Sequence, residues 1–200
     1  MKVFGDMQSG NCYKVKLLLS FLKIEHSWQH IDVLNAETKT PEFLKMNPNG
    51  KIPVVVLDDA RVLTESNAIL GYFAENTPFI PTDRYAKAKM YEWMFFEQYS
   101  HEPCIAVARF INKYLGLPED RLVEYQRLQP KGHQILAIME QALHQRDYLL
   151  GDSLTLADIS LYAYTHVADE GGFDLSLYPH IVAWCARVQQ QPNYIAMNAS

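Results

Sequence analysis

The stretch Ile52-Pro53-Val54-Val55-Val56-Leu57 decides the fold of this chain, because it is a continuous run of apolar and mostly β-branched residues. Such a run is typical of a strand that is buried on both faces of its sheet. The proline that opens the run suits either a trans bond at a sheet edge or a cis bond in a turn. The cis form would expose the backbone N–H and C=O of Ile52 to a cleft, where an extended peptide could pair with them.

Strand and helix patterns alternate on both sides of this run. The predicted strands are Lys2 to Gly5, Ser27 to Val33 and, after a hairpin turn, Arg61 to Thr64. The predicted helices are one with an apolar face from Val15 to Leu22, one or two irregular turns over Pro41 to Met46, and one that begins near Ser66. The resulting order, β-α-β-(α)-β-β-α, predicts an α+β domain with a thioredoxin-like arrangement.

The chain changes character between Asn76 and Asp83, where two prolines stop the preceding helix and stiffen the segment. Almost everything beyond this point has helical period. The predicted helices cover Lys87 to Tyr114 with a kink at Pro103, Leu122 to Leu143 with an interruption at Pro130, and a segment after Pro179. We therefore predict a thioredoxin-like domain over residues 1–76, a linker over 77–82 and an all-helical domain over 83–200.

A strong helix-start signal lies in the second part, at Leu154-Thr155-Leu156-Ala157-Asp158-Ile159. Thr155 can cap the amide of Asp158 while the Asp158 carboxylate reaches back to the Thr155 amide. Leu154 and Ile159 stand at the positions of a hydrophobic staple. This motif concerns helix initiation and folding, and we assign it no catalytic role.

Composition excludes several classes of function. The 200 residues contain 18 Lys and Arg against 23 Asp and Glu, and this net charge of −5 argues against a general nucleic-acid binder. No apolar run approaches the roughly 18 residues that span a bilayer, and the start of the chain turns polar before a signal-peptide segment develops. The three cysteines are far apart and form neither a disulfide framework nor a CxxC motif. We expect a cytoplasmic protein without nucleic-acid or membrane partners.

Glu65 and Ser66 stand at the start of a predicted helix. A helix start offers N–H groups without intrahelical partners and a partial positive charge, and the Ser66 hydroxyl adds a donor. Together with the negative charge of Glu65, this arrangement can receive a carboxylate and an ammonium on one ligand carbon, as in the free end of an α-amino acid. Alternatively, Ser66 is only a helix cap and Glu65 a carboxylate that the helix dipole favours.

The turn Ser9-Gly10-Asn11-Cys12-Tyr13 lies between the first strand and the first helix. A thiol bound there could be deprotonated with the help of a hydrogen-bond donor and the helix start, since both stabilise a thiolate. Ser9 and Asn11 can both donate. Cys12 could be a thiol with chemistry of its own, or a small buried residue that faces the core.

These turns resemble those of the cytosolic glutathione transferases, in the order and spacing of that family and over essentially the whole chain. The matching segments are Ser9-Gly10-Asn11-Cys12-Tyr13-Lys14-Val15, Asn47-Pro48-Asn49-Gly50-Lys51-Ile52-Pro53, Glu65-Ser66-Asn67-Ala68-Ile69, and Leu150-Gly151-Asp152 with Thr155-Leu156-Ala157-Asp158. Each segment is weak alone, but the combination is specific. The nearest likeness is to bacterial members with a serine-type site, as in the theta and zeta classes.

The resemblance implies a site for glutathione as cosubstrate. It makes Pro53 cis, pairs the Ile52 backbone with the cysteinyl part of glutathione, and assigns Glu65 and Ser66 to the γ-glutamyl end. It makes Lys39 and Lys51 candidates for the glycine carboxylate or the nearby backbone. In the catalytic turn it implies that Ser9 is the donor that stabilises the thiolate.

The resemblance also implies an activity and partners: transfer of alkyl or aryl groups to glutathione, in detoxification of small hydrophobic electrophiles by a homodimer. The electrophile would lie in an apolar cleft near Tyr99, Pro103 and Arg109, while Tyr91, Met94 and Phe95 could be core or dimer interface, with core as the default.

The sequence departs from the serine-class pattern at Gly10-Asn11, where serine and cysteine are common. Some bacterial relatives have an asparagine or threonine at this turn and reduce disulfides through bound glutathione, so Asn11 is a competing donor. A glutathione-dependent disulfide reductase is therefore one alternative. A non-catalytic binding or stress-response protein of the same fold is the other, although such relatives often lack the acid that Glu65 provides here.

The seven histidines show no ligand spacing typical of a metal site, such as HExxH. We therefore expect no metal cofactor.

Overall fold

The computed structural model describes residues 1–199 and divides into two compact units. The first unit combines Met1–Thr77 with the residues from Pro192 onward, and the second is Pro78–Gln191. The last residues thus group with the first unit, whereas the sequence analysis assigned everything after residue 82 to the helical domain. No helix among residues 1–199 is long and apolar enough to cross a membrane.

The first unit is built on a mixed sheet of four strands in the order β2-β1-β3-β4. The strands are β1 (Lys2–Gly5), β2 (Ser27–His30), β3 (Val54–Val56) and β4 (Val62–Leu63). β1 runs parallel to β2 and antiparallel to β3, and β3 runs antiparallel to β4. The helices are α1 (Gly10–Phe21), α2 (Pro41–Met46) and α3 (Ser66–Ala74). This confirms the predicted thioredoxin-like order.

The strand that decides the fold is buried as predicted but shorter. Val54 and Val55 are fully buried, and Val55 pairs with Val3 at the centre of the sheet. The strand begins only after Pro53, since a proline has no N–H to donate to a neighbouring strand. The second strand likewise ends at His30, before Val33.

The carboxyl-terminal segment is held on α1 by three side chains of that helix. The Tyr13 hydroxyl donates to the Ile195 carbonyl over 2.8 Å, and the Ser20 hydroxyl donates to the Asn193 carbonyl over 2.7 Å. Between them, Lys16 Nζ donates to the Met197 carbonyl over 3.4 Å. No hydrophobic periodicity marks these contacts, which is why the sequence did not predict them.

The second unit is helical throughout. Its helices are α4 (Arg84–Phe96), α5 (Leu122–Leu143), α6 (Leu156–Thr165) and α7 (Pro179–Gln189). Beyond Phe96, α4 continues through wider π-helical turns at Glu97–Ala106 and Phe110–Tyr114. Short 3-10 turns lie at Glu37–Lys39 in the first unit and at Glu119–Arg121, Ala168–Gly171 and Leu175–Leu177 in the second.

The two internal prolines behave differently from each other. Pro103 lies inside the π-helical turns, which accommodate a residue that cannot donate an intrahelical bond. Pro130, by contrast, does not interrupt its helix, so this prediction was wrong. Pro130 is exposed, and the helix beyond it buries Ile135, Leu136 and Met139, so packing offsets the single lost hydrogen bond.

The core of the second unit surrounds α6, in which every residue is buried. The predicted capping box is present, and the Thr155 amide donates to Asp158 Oδ2 over 2.9 Å. The buried Asp158 carboxylate also accepts from the Leu149 amide at 2.9 Å and from Trp184 Nε1 at 3.0 Å. Asp158 therefore joins α6, α7 and the preceding turn, which is a structural role.

Candidate active site

The turn that carries Ser9 begins directly after β1. The Ser9 amide donates to the Asp6 carbonyl over 3.1 Å, which closes the turn. Ser9 is then the N-cap of α1, and its hydroxyl oxygen accepts from the Cys12 amide at 3.4 Å. Since capping uses the oxygen as an acceptor, the hydroxyl proton can be donated to another atom. The half-buried side chain stands at the positive end of a helix dipole.

Cys12 lies beneath this turn as a packing residue. It is fully buried, and burial raises the pKa of its thiol to about 12 although a hydrogen bond from Ser9 acts in the opposite direction. A Cβ added to Gly5 would stand 2.6 Å from Cys12 Sγ, so the sulfur fills the space that this glycine leaves. A thiol in this environment stays protonated at neutral pH, which fits the core alternative and not a reactive cysteine.

Asn11 and Ser66 are joined by a hydrogen bond. The Ser66 hydroxyl donates to Asn11 Oδ1 over 3.1 Å, and Ser66 itself is buried. The bond connects the first turn of α1 with the first residue of α3, so two of the segments singled out in the sequence lie side by side. The bond orients the Asn11 side chain, with Oδ1 towards Ser66 and Nδ2 as its donor group.

Glu65 is the N-cap of α3 and has a positive φ of 63°, with ψ at 110°. A residue with a Cβ avoids this region, at a cost of about 1–2 kcal/mol. The Glu65 side chain is exposed and makes no capping hydrogen bond. The cap position thus belongs to Glu65, whereas the alternative interpretation gave it to Ser66, which is the first residue of the helix. The first intrahelical bond runs from the Ile69 amide to the Glu65 carbonyl at 2.9 Å, so the amides of residues 66–68 precede the helical pattern.

The Ile52–Pro53 peptide bond is cis, as the family resemblance implied. Ile52 is half-buried at the end of a loop that Asn47 organises. Asn47 Nδ2 donates to the Lys51 carbonyl at 2.7 Å, and its Oδ1 accepts from the Asn49 amide at 3.1 Å. The sequence analysis assigned no role to Asn47, although an asparagine before Pro-Asn-Gly is a typical turn residue.

The two candidate lysines stand at the same loop. Lys39 Nζ donates to the Gly50 carbonyl over 3.3 Å, so its ammonium supports this loop of the protein itself. The Lys51 side chain is exposed. Both residues belong to the first unit, together with Ser9, Asn11 and the start of α3.

Comparison with known proteins decides the family. Residues 8–76 match the sequence model of the glutathione S-transferase N-terminal domain, and residues 90–192 match that of the C-terminal domain. The chain belongs to the glutathione S-transferase family. A solved glutathione S-transferase from Pseudomonas fluorescens Pf-5 is 53% identical, with a TM-score of 0.97 over 99% of this chain and 98% of that one.

Curated relatives of this chain include a glutathione S-transferase and a disulfide-bond oxidoreductase. The zeta-class glutathione S-transferase of Euphorbia esula is 28% identical over 97% of this chain and 88% of its own length. The disulfide-bond oxidoreductase YfcG of Escherichia coli is 25% identical over 91% of this chain and 87% of its own. The predicted transferase and the alternative disulfide reductase thus each have a named representative among the relatives.

In the helical unit, the residues expected near an electrophile differ in exposure. Arg109 is 2% exposed and pairs with Glu170 over 2.5 Å, so its guanidinium stabilises the unit's own structure. Tyr99 is 89% exposed. Met94 is buried, as the core interpretation required, whereas Tyr91 is 39% and Phe95 71% exposed, so the core interpretation was wrong for both of these residues.

Within residues 1–199, no group of three or more His, Cys, Asp or Glu side chains could hold a metal ion. Two histidines form a pair on the surface of the second unit, with His144 Nδ1 2.9 Å from His180 Nε2.

Proposed function

We propose that this protein is a glutathione transferase that ionises the thiol of bound glutathione and directs it at a small hydrophobic electrophile. Membership of the family supports an activity with glutathione in general. The reaction and the roles of individual residues are our inference from the site. In this proposal the first unit binds glutathione, and the helical unit supplies the surface for the electrophile.

The hydrogen bond between Ser66 and Asn11 is the observation that carries the proposal. It brings the helix start that suits an α-amino acid next to the turn that suits a thiolate. Glutathione has both groups, an α-amino acid at its γ-glutamyl end and a thiol on its second residue. A ligand with only one of these groups would use only half of the arrangement.

Each part of glutathione has a matching group in the first unit. The backbone amides at the start of α3, that of Ser66 among them, receive the γ-glutamyl carboxylate, while the Ser66 hydroxyl stays bonded to Asn11. The exposed Glu65 receives the ammonium. The backbone of Ile52 pairs with the cysteinyl residue as an added strand. Lys51 faces the glycine carboxylate from the exposed side of the loop, while Lys39 supports the loop from behind.

Ser9 donates its hydroxyl proton in a hydrogen bond to the glutathione sulfur, which lowers the pKa of that thiol. One strong hydrogen bond and the start of α1 together supply roughly 2–4 kcal/mol in favour of the thiolate. About 1.4 kcal/mol corresponds to one pKa unit, so this is enough to ionise the thiol near neutral pH. The thiol proton goes to solvent, the thiolate forms a C–S bond with the electrophile, and the leaving group departs with its electron pair.

Ser9 is preferred to Asn11 as the sulfur donor because of how the two side chains are bonded. Asn11 Oδ1 is held by Ser66, which fixes the amide as part of the γ-glutamyl side of the site. Ser9 has a donor proton and stands at the end of the helix dipole. The competing acceptor for that proton, the Cys12 thiol, is a weak one.

Conjugation of glutathione to an activated aryl halide, followed by absorbance of the product, tests the proposal. Retention of the protein on immobilised glutathione tests binding separately. We expect conjugation by the native chain and a loss of at least tenfold in kcat for Ser9→Ala. Full activity of Ser9→Ala would show that the serine assignment is wrong. Failure of the native chain both to bind and to conjugate would overturn the proposal.

A parallel assay of glutathione-dependent disulfide reduction separates the alternative activity. We expect Asn11→Ala to weaken both reactions together, because its role is in binding. Loss of disulfide reduction alone in Asn11→Ala would instead establish the reductase that the relative YfcG exemplifies.

We also propose a cytoplasmic homodimer that acts in detoxification. Its three cysteines are free and buried, which suits a reducing compartment. Tyr91 and Phe95 of α4 lie one helical turn apart with ring centroids 6.4 Å apart, and both are exposed. Exposed neighbouring aromatic residues are typical of interfaces. Light scattering should give the mass of a dimer for the native chain and of a monomer for Phe95→Asp.

A further inference from the structure

Lys14 is a fully buried lysine in the first turns of α1. Lysines are almost never fully buried, because removing an ammonium from water costs several kcal/mol unless nearby groups compensate for it. The Lys14 ammonium donates to Asn67 Oδ1 over 3.4 Å. Asn67 is the second residue of α3 and follows Ser66 directly.

Lys14 and Asn11 lie three residues apart, on one face of α1, and each reaches a different residue at the start of α3. Asn11 accepts from Ser66, and Lys14 donates to Asn67. The positive charge of Lys14 thus lies behind the same helix start to which the proposed function assigns a carboxylate. At the start of α3, the partial charge of the helix dipole and the charge of the Lys14 ammonium are both positive.

We propose that Lys14 is the buried cation that selects the γ-glutamyl carboxylate of glutathione. This inference rests on the proposed function and adds a specificity-determining residue to it. Lys14 acts through space from behind the helix start, while the exposed Glu65 presents a negative charge on the other side. The two charges match the carboxylate and ammonium of an α-amino acid and fix which way round the ligand binds.

Lys16 provides a matched control on the same helix. It is also a lysine and only 5% exposed, but it donates to the carbonyl of Met197 in the carboxyl-terminal segment. Replacing Lys16 removes a buried ammonium of the same kind from a different environment. A general effect of losing a buried lysine from α1 will therefore appear in both variants, and an effect on the carboxylate will appear only at Lys14.

The test compares two ligands by isothermal titration calorimetry. One is S-methylglutathione, and the other is the same molecule with 4-aminobutanoyl in place of γ-glutamyl, which lacks only the α-carboxylate. The ratio of their dissociation constants measures selection for the carboxylate. We expect Lys14→Met to reduce this ratio by about fivefold or more, as expected for one charge at short range in a partly buried site. Lys14→Arg should keep the ratio within about twofold, since the charge is retained.

Lys16→Met should lower the melting temperature and leave the ratio unchanged. If Lys14→Met does not fold, Asn67→Asp tests the same claim, because a carboxylate beside Lys14 neutralises it and should reduce the ratio. Suppose that the native chain prefers S-methylglutathione and that Lys14→Met or Asn67→Asp leaves the ratio of dissociation constants unchanged. This result would overturn the role of Lys14 but not the proposed function. Failure of the native chain to bind S-methylglutathione would overturn the proposed function itself.

Discussion

The Ser66 hydroxyl donates to Asn11 Oδ1 over 3.1 Å, although the two residues are 55 positions apart in the chain. The bond fixes the start of α3 against the first turn of α1. These are the two helix starts that a glutathione molecule would have to contact at once. Their relative position is therefore set by the protein before any ligand arrives.

A double-mutant cycle measures this coupling. Asn11→Ala and Ser66→Ala should each weaken glutathione binding, and the double variant should lose less than the sum by about 1 kcal/mol, the size of a buried hydrogen bond. Titration calorimetry gives the three differences. Ser20→Ala removes a hydroxyl from the far end of α1, where it donates to Asn193, and should leave binding unchanged. Strict additivity would show that the bond does not contribute to the site.

Glu65 should show opposite effects on stability and binding. Glu65 has a positive φ of 63°, which is unfavourable for a residue with a Cβ. Glu65→Gly removes this conformational cost and should raise the free energy of unfolding by up to about 1 kcal/mol. The same change removes the charge that receives the ammonium, so glutathione affinity should fall about tenfold, or roughly 1.4 kcal/mol. Glu65→Gln keeps the conformational cost of the positive φ, so it should weaken glutathione binding without raising the free energy of unfolding. Denaturant titration and calorimetry check both, and a Glu65→Gln variant with native affinity would contradict the assignment.

Cys12 should be inert towards alkylating reagents in the folded protein. Burial raises the pKa of its thiol to about 12, so almost no thiolate exists at pH 8. Iodoacetamide followed by mass spectrometry should label Cys12 only after denaturation, and Cys12→Ala should retain conjugation activity. Rapid labelling of Cys12 in the native chain, with loss of activity, would establish it as a reactive thiol.

His166 should make the protein less stable in mild acid. Burial lowers the pKa of His166 from 6.5 to about 4, so on acidification the unfolded chain takes up this proton first. The stability from the neutral imidazole is complete above pH 6.5 and is lost as the pH falls towards 4, a decrease of about 2 kcal/mol between pH 7 and pH 5. Urea titrations at the two pH values should show that His166→Gln removes this part of the decrease.

If His166→Gln and the native chain lose the same free energy of unfolding between the two pH values, then His166 ionises alike in the folded and unfolded states.

The sequence predicted most of the fold because its signals are local. The run through Val54 and Val55 has the composition of a buried strand, and the capping box at Thr155 marks the start of α6 within one residue. Pro130 misled the prediction because a single lost hydrogen bond is weaker than the packing of the helix beyond it. The carboxyl-terminal segment has no periodicity, and only its contacts with α1 assign it to the first unit.

The sequence predicts candidate site residues where a single turn contains them, and it cannot predict contacts where two turns meet. Ser9, Glu65 and Ser66 stand at helix starts, where residue type alone indicates a role. The bond from Ser66 to Asn11 and the burial of Lys14 depend on how α1 packs against α3, which no spacing in the sequence encodes.

Titration of the bound glutathione thiol tests the central claim most directly. A free thiol has a pKa of about 8.5, and the thiolate absorbs in the ultraviolet. In complex with the native protein, the thiol pKa of bound glutathione should lie about two pH units below the value of a free thiol. In complex with Ser9→Ala, this thiol pKa should return most of the way to the free value. Ser9→Thr, which keeps the hydroxyl and the cap, should resemble the native protein. Bound glutathione that titrates identically in the native protein and in Ser9→Ala would contradict the account.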